Sequence, residues 1–250
     1  MKAMIFAAGL GTRLRPLTDS MPKALVPVGG EPLLSIVAHR LIAAGMDSLV
    51  VNAHHFAGMI EDYVRRENGF GVHTDISLET DRLLDTGGGI RHAARFLRGS
   101  GHFLVHNVDI LSNLNIREFV AHARPDALAT LVVSKRETSR RLLFDDGMRL
   151  VGWTDTRTGE VRSPFPDIDP DKCRQRAFAG IHYMSDGIFD VMDALGEAEA
   201  FPIIGFYLAA AADYPIYGYE PQDLRILDVG KPESLAAAED FLISSTQSRD

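Results

Sequence analysis

The sequence of 250 residues holds a single cysteine, Cys173, which rules out an internal disulfide and points to a reducing, cytoplasmic setting with an inert thiol. Basic residues are the scarcer charge: 26 against 34 acidic, for a formal net charge of −8 and a pI near 5.6. A surface built for a nucleic-acid backbone needs the opposite balance, so a nucleic-acid partner is not expected, and any phosphorylated ligand must be met by local basic residues. Apolar runs are short. None approaches the roughly 20 residues of a membrane helix, and the opening run stops at Gly9, so it reads as a buried first strand rather than a signal peptide. Partners are therefore expected to be small molecules, with no membrane, and the chain to be a monomer or a small homo-oligomer.

What is present is enough apolar material, 46% of residues, for one α/β domain over residues 1–250. Residues 3–8 form an apolar strand. A helical pattern follows at Leu33, Leu34, Val37, Leu41 and Ile42, then strands over 48–51 and 72–78 with a helix through Ile60 and Val64 between them. Gly87-Gly88-Gly89 is expected to open a helix, and residues 102–106 to form the next strand. This alternation predicts a doubly wound, mostly parallel, Rossmann-like sheet with helices on both faces. The second half is different. Residues 141–144 and 148–151 flank Asp145-Asp146-Gly147, a hairpin signal, and predict a mixed β insertion. Residues 154–176, rich in proline and charge, read as an exposed insertion or a lid before a strand over 178–184. Helices over 188–195 and 203–212, strands over 216–219 and 225–229, and a helix from Pro232 complete the pattern.

Two common phosphate-binding loops are missing. After the first strand comes Ala7-Ala8-Gly9-Leu10-Gly11-Thr12-Arg13-Leu14-Arg15-Pro16, where Leu14 takes the place of a dinucleotide loop's third glycine and no Gly-Lys-Ser/Thr closes a P-loop. The loop instead offers backbone N–H groups at a strand's carboxyl end and two arginines, Arg13 and Arg15, whose planar donors match phosphate. An ordinary glycine turn with surface arginines is the competing reading. Lys23 lies on the stiff segment Met21-Pro22-Lys23-Ala24-Leu25-Val26-Pro27-Val28, able either to aim at the loop's ligand or to sit in solvent. Asp109 and Asp228 each follow a short apolar strand. Two carboxylates at one sheet edge would suit Mg²⁺, which fills its shell with water and phosphate; each aspartate also fits a capping role.

Taken together, these segments resemble the sugar-1-phosphate nucleotidylyltransferases, or pyrophosphorylases, whose signature is a strand, A-A-G-x-G-T-R-x-x-P, and then P-K-x-L-x-P-V. The likeness continues through Thr86-Gly87-Gly88-Gly89-Ile90, Asp109 and Asp228-Val229-Gly230-Lys231-Pro232-Glu233. It implies an enzyme that joins a nucleoside triphosphate and a sugar 1-phosphate into a nucleotide sugar with release of pyrophosphate, using Mg²⁺. Ala8, Gly9, Gly11, Thr12, Arg13 and Lys23 would hold the triphosphate, and Gly87 and Gly88 would lie against the base. Gly180 would face the sugar, and Asp109 and Asp228 would hold the metal. Arg13, Lys23, Asp109 and Asp228 would form the catalytic set.

Two departures stand out. Asn107-Val108-Asp109 replaces the family's Gly-Asp, and the Glu-Lys-Pro that carries a second phosphate-binding lysine is absent, with Lys172, Arg174 and Arg176 as stand-ins. Asp85-Thr86-Gly87-Gly88-Gly89-Ile90 is most similar to the small N-acetylmuramate-1-phosphate uridylyltransferases, which implies UTP and cell-wall nucleotide-sugar metabolism; mannose- or heptose-1-phosphate guanylyltransferases come next. A nucleotide-binding regulatory module without turnover is the alternative from another class, and Leu14 disfavours a nicotinamide oxidoreductase. His54-His55 is read as structural, because strand neighbours point to opposite faces, and the sole tryptophan, Trp153, as packing.

Overall fold

The computed structural model describes residues 1–247. In chain order its first elements are β1 (Lys2–Phe6), β2 (Pro27–Val28), β3 (Glu31–Pro32), α1 (Leu33–Ala43), β4 (Ser48–Ala53), α2 (Ala57–Arg66), β5 (His73–Leu78), α3 (Asp85–His92), α4 (Ala94–Leu97), β6 (His102–Asn107) and β7 (Ile110–Ser112). There follow α5 (Ile116–His122), β8 (Ala129–Ser134), β9 (Arg140–Phe144), β10 (Leu150–Asp155), β11 (Glu160–Arg162), β12 (Arg174–Ser185), α6 (Ile188–Ala194), α7 (Ile203–Ala210), β13 (Ile216–Tyr219), β14 (Ile226–Asp228) and α8 (Glu233–Gln247). The fold is α/β, as the alternating pattern predicts. The chain divides into two compact units, one built from residues 1–83, 105–117 and from 224 onward, the other from 84–104 and 118–223.

In the first unit β1, β4 and β5 run parallel, with Ile5 opposite Val51 and Val51 opposite Ile76. The apolar runs of β1 and β4 are almost continuous because helices cover the sheet: α1 buries Leu33, Leu34, Val37 and Leu41 and packs on β1. All three carboxyl ends therefore open at one edge, where an α/β sheet offers its ligand site. The short strands β7 and β14 pair antiparallel, Asp228 opposite Ile110, and so bring two distant parts of the chain side by side. Gly29 and Gly30, with φ of 59° and 84°, close the two-residue hairpin between β2 and β3, a turn that needs positive φ at both positions.

The second unit is mixed, as expected for this half. β8 pairs antiparallel with β12 and parallel with β13, while β12, β9, β10 and β11 continue as antiparallel neighbours. The Asp145-Asp146-Gly147 hairpin is present, and its connection runs on through Met148, whose φ is 61°.

Two expectations need correction. The exposed insertion over residues 154–176 is partly strand: β10 extends to Asp155, turns, and returns as β11, with Thr154 opposite Val161, and β12 already begins at Arg174. Backbone pairing there outweighs the loop-like composition. Gly87-Gly88-Gly89 lies inside α3, which starts at Asp85, rather than ahead of it. A glycine in a helix costs about 1 kcal/mol relative to alanine, so close packing must offset it. A Cβ on Gly87 would run into the Phe201 ring, and one on Gly88 into the Glu199 carbonyl oxygen.

Candidate active site

The glycine-rich loop begins where β1 ends. Ala7 N–H donates to the Asn52 carbonyl and Ala8 N–H to Asn52 Oδ1, each at 3.2 Å. From there the backbone turns outward. Gly11 has φ of 64°, and a Cβ on it would come 2.9 Å from Thr18 Cγ2 and 3.0 Å from Lys23 Cβ, so glycine is required twice over. Thr18 Oγ1 donates to the Gly11 carbonyl at 2.8 Å and pins the turn. Among the described residues, the N–H groups of Gly9, Leu10 and Gly11 donate to no protein acceptor. Gly9, Leu10, Thr12 and Arg13 are exposed. Free donors on a turn at a strand's carboxyl end, in a loop that also carries a guanidinium, suit a phosphate chain.

Lys23 is not solvated. It starts a short 3-10 turn after Pro22, is only 8% exposed, and its Nζ lies 2.5 Å from Asp109 Oδ2. Asp109 is set by the strand before it: Val108 N–H donates to the Phe6 carbonyl at 3.1 Å, which seats the end of β6 beside the end of β1. Val108, where the family has glycine, is 4% exposed and takes no positive φ, so its side chain enters the core without strain. That departure leaves Asp109 in place. Val229 N–H donates to the Asp109 carbonyl at 2.8 Å, which brings Asp228 alongside.

Asp228 Oδ1 is buried and has no hydrogen-bond partner among the described residues. A desolvated carboxylate oxygen with no donor is costly unless a ligand completes it. Gly230 explains part of the arrangement: a Cβ there would lie 2.7 Å from Asp228 Oδ1 and 3.0 Å from Arg13 Nη2. Only glycine lets the carboxylate and the guanidinium of Arg13 close on this point. No group of three His, Cys, Asp or Glu side chains arranged to hold a metal occurs among the described residues. Two carboxylates alone would suit a hard divalent cation that completes its shell with water and phosphate.

The remaining site expectations fall in the second unit. Gly180 has φ of 72° in β12, where the pairing with β8 shifts register between Phe178 and His182. It is a β-bulge that only glycine makes without strain. Gly87 and Gly88 both donate their N–H groups to the Phe201 carbonyl, at 2.9 and 3.2 Å, so these donors are committed to holding α3 against residue 201. Lys172, Arg174 and Arg176 pair with Asp169, Asp146 and Glu220 at 3.3, 3.6 and 2.9 Å.

Sequence reasoning missed three buried polar residues of the first unit. Asn52, 0% exposed, donates through Nδ2 to Glu79 Oε1 at 2.6 Å, and Glu79 is itself 2% exposed. His106 is fully buried, and desolvation, reinforced by the Arg40 charge, pushes its pKa down to about 4. The available signal was an asparagine or histidine inside an otherwise apolar strand. His54 Nδ1 lies 2.7 Å from the Glu79 carbonyl and His55 stacks on Phe56, which agrees with a structural role for the pair. Trp153 is half-buried under the Arg162 guanidinium.

Comparison with known proteins shows the family. The family model described as nucleotidyl transferase matches residues 2–142. The chain is 32% identical to the N-acetylmuramate alpha-1-phosphate uridylyltransferase of Caulobacter vibrioides, over 95% of each protein. It is 27% identical to the mannose-1-phosphate guanyltransferase of Gibberella zeae, over 98% of this chain and 65% of that protein. Among solved structures, a putative glucose-1-phosphate thymidylyltransferase from Bacillus anthracis superposes with a TM-score of 0.79 at 18% identity, over 96% of this chain and 94% of that one, a likeness of fold. The chain belongs to the nucleotidyl transferase family and is an enzyme of that class.

Proposed function

We propose that the chain transfers a uridylyl group from UTP to N-acetylmuramate 1-phosphate, with Mg²⁺, giving a nucleotide sugar and pyrophosphate in cytoplasmic cell-wall metabolism. One observation carries the reading. Three N–H groups and an Asp228 oxygen without partners among the described residues, the Arg13 guanidinium and the Lys23–Asp109 ion pair all belong to the first unit, where Arg13 and Asp228 both close on Gly230. The choice of UTP and of this sugar follows the uridylyltransferase relative that matches both chains almost end to end.

The chemistry balances without a general base. An oxygen of the sugar 1-phosphate, ionised near neutral pH, attacks the α-phosphorus in line. The new O–P bond forms as the bond to the β-phosphate oxygen breaks, and pyrophosphate leaves with that electron pair. Gly9, Leu10 and Gly11 hold the phosphates through their N–H groups, and Arg13 adds a charged donor that keeps them in register. Lys23 supplies a positive charge beside Asp109. Mg²⁺ held by Asp109 and Asp228 would neutralise charge on the triphosphate. By the resemblance, Gly180 is assigned to the sugar and Gly87 and Gly88 to the base, although both of the latter are buried against Phe201 and Glu199.

The test is pyrophosphate release with Mg²⁺ across five nucleoside triphosphates (UTP, GTP, CTP, ATP and dTTP) and a panel of sugar 1-phosphates. UTP with N-acetylmuramate 1-phosphate is expected to turn over fastest. A preference for GTP with mannose 1-phosphate would move the assignment to a guanylyltransferase, the activity that names the relative matching 98% of this chain. Nucleotide binding without turnover on every pair would leave a regulatory module.

A further inference from the structure

Asn52 interrupts the apolar strand Ser-Leu-Val-Val-Asn-Ala of β4 and is wholly inaccessible. It pairs on both sides, opposite Phe6 of β1 and Ser77 of β5, so a leucine or valine at this position would satisfy the sheet equally well. Burying an amide is costly unless its donor and acceptor are both used, and here each is used in a fixed sense. Oδ1 accepts from Ala8 N–H, and Nδ2 donates to Glu79 Oε1. Glu79 is anchored in turn, its N–H donating to the Ala53 carbonyl at 2.9 Å and its carbonyl facing His54 Nδ1. The carboxylate therefore fixes which way the amide points. Its acceptor is aimed at the first turn of the glycine-rich loop.

We infer that Asn52, oriented by Glu79, is a positioning residue that sets the nucleotide-binding loop by taking the Ala8 N–H inward and leaving the N–H groups from Gly9 onward to face the triphosphate. The inference rests on the nucleotide-loop assignment made above. Its chemistry is directional. Drawing both Ala7 and Ala8 inward to one residue fixes the two peptide planes that lead up to the Ala8 Cα, from which the chain enters Gly9. A glycine without such an anchor would sample many orientations before a phosphate selected one. Asn52 touches neither substrate nor metal in this scheme; it acts through the loop.

The polarity of the network supplies a test that ordinary packing would not pass. Asn52→Asp keeps an oxygen for Ala8 N–H but sets a carboxylate against Glu79, so the side chain is repelled from its position. The paired change Asn52→Asp with Glu79→Gln exchanges donor and acceptor: the carboxylate at position 52 then accepts from both Ala8 N–H and the new amide. Kinetics with UTP, Mg²⁺ and N-acetylmuramate 1-phosphate should give a KM for UTP raised about ten- to hundredfold in Asn52→Asp, the scale of one directed hydrogen bond to a charged group. The KM for the sugar phosphate should change little, and the exchanged pair should recover most of the loss. A folded Asn52→Asp enzyme with unchanged KM for UTP, or a folded exchanged pair that stays as impaired as the single variant, overturns the inference. If Asn52→Asp does not fold, the exchanged pair decides alone. Absence of turnover in the wild-type chain on the whole substrate panel would instead refute the proposed function.

Discussion

Lys23 Nζ and Asp109 Oδ2 lie 2.5 Å apart, with Lys23 8% exposed, so the basic group of the Pro-Lys segment is held by the carboxylate assigned to the metal. Asp228, the other carboxylate, has no such partner for Oδ1 among the described residues. The two aspartates should therefore respond in opposite ways when neutralised. In chelator, Asp109→Asn should lose about 1–3 kcal/mol of stability, because it strands a mostly buried ammonium. Asp228→Asn should be neutral or slightly stabilising, because it removes a desolvated charge. Both should lose roughly a thousandfold in kcat. Urea denaturation beside turnover assays checks this, and equal destabilisation by the two variants would refute the asymmetry.

Magnesium should raise the thermal midpoint of the wild-type protein in the presence of UTP, since a ligand that binds only the folded state stabilises it by mass action. The Mg²⁺-dependent part of the shift should vanish in Asp228→Asn. An undiminished shift would place the metal elsewhere.

Arg13→Ala should raise the KM for UTP about tenfold or more while leaving the sugar phosphate's KM nearly unchanged. An effect confined to the sugar phosphate would contradict its assignment. Gly230→Ala should imitate this loss with Arg13 still present, because its Cβ would crowd both Asp228 Oδ1 and Arg13 Nη2.

His106 gives a pH dependence with a definite sign. Its pKa is about 4 in the folded protein, below the ordinary 6.5, because burial and the Arg40 charge oppose protonation. Between those pH values the unfolded chain binds a proton that the folded chain does not. The stabilising contribution is thus fully present above pH 6.5 and is lost as the pH falls towards 4. Its size is on the order of 3 kcal/mol. Urea titrations at several pH values should show the wild-type advantage over His106→Phe shrinking in that window. Parallel curves would show that His106 does not titrate there.

Gly180→Ala should cost about 1–2 kcal/mol, since alanine resists the left-handed conformation at φ of 72°. It should also weaken the sugar phosphate more than UTP, as steady-state kinetics can show. The reverse ranking would remove Gly180 from the sugar site.

The parallel half of the fold was legible because β1 and β4 are largely buried and so read as apolar runs between helical patterns, while β5 showed as alternation. The loop, Lys23 and both aspartates were singled out together only by the family signature they match in order; each by itself also fitted a structural role. Strand β11 was not, since Glu160, Val161 and Arg162 are all exposed and pair only through the backbone with β10. Nor was Asn52, because an amide in a strand carries no sign of the direction in which its donor and acceptor will point. The glycines of α3 were visible as residues but not as contacts: their reason is the ring of Phe201, which no local pattern links to them.

The pairing of β7 with β14 joins Asp228 to Asp109 across everything the chain makes between them, including nearly all of the second unit. During synthesis the ribosome delivers the loop, Lys23 and Asp109 long before Asp228. A nascent chain therefore carries only one of the two carboxylates proposed for the metal while residues 110–227 are being made, and the second arrives with β14. Early termination upstream of Leu224 would yield a polypeptide that keeps the glycine-rich loop yet lacks the second carboxylate and the last segment of the first unit.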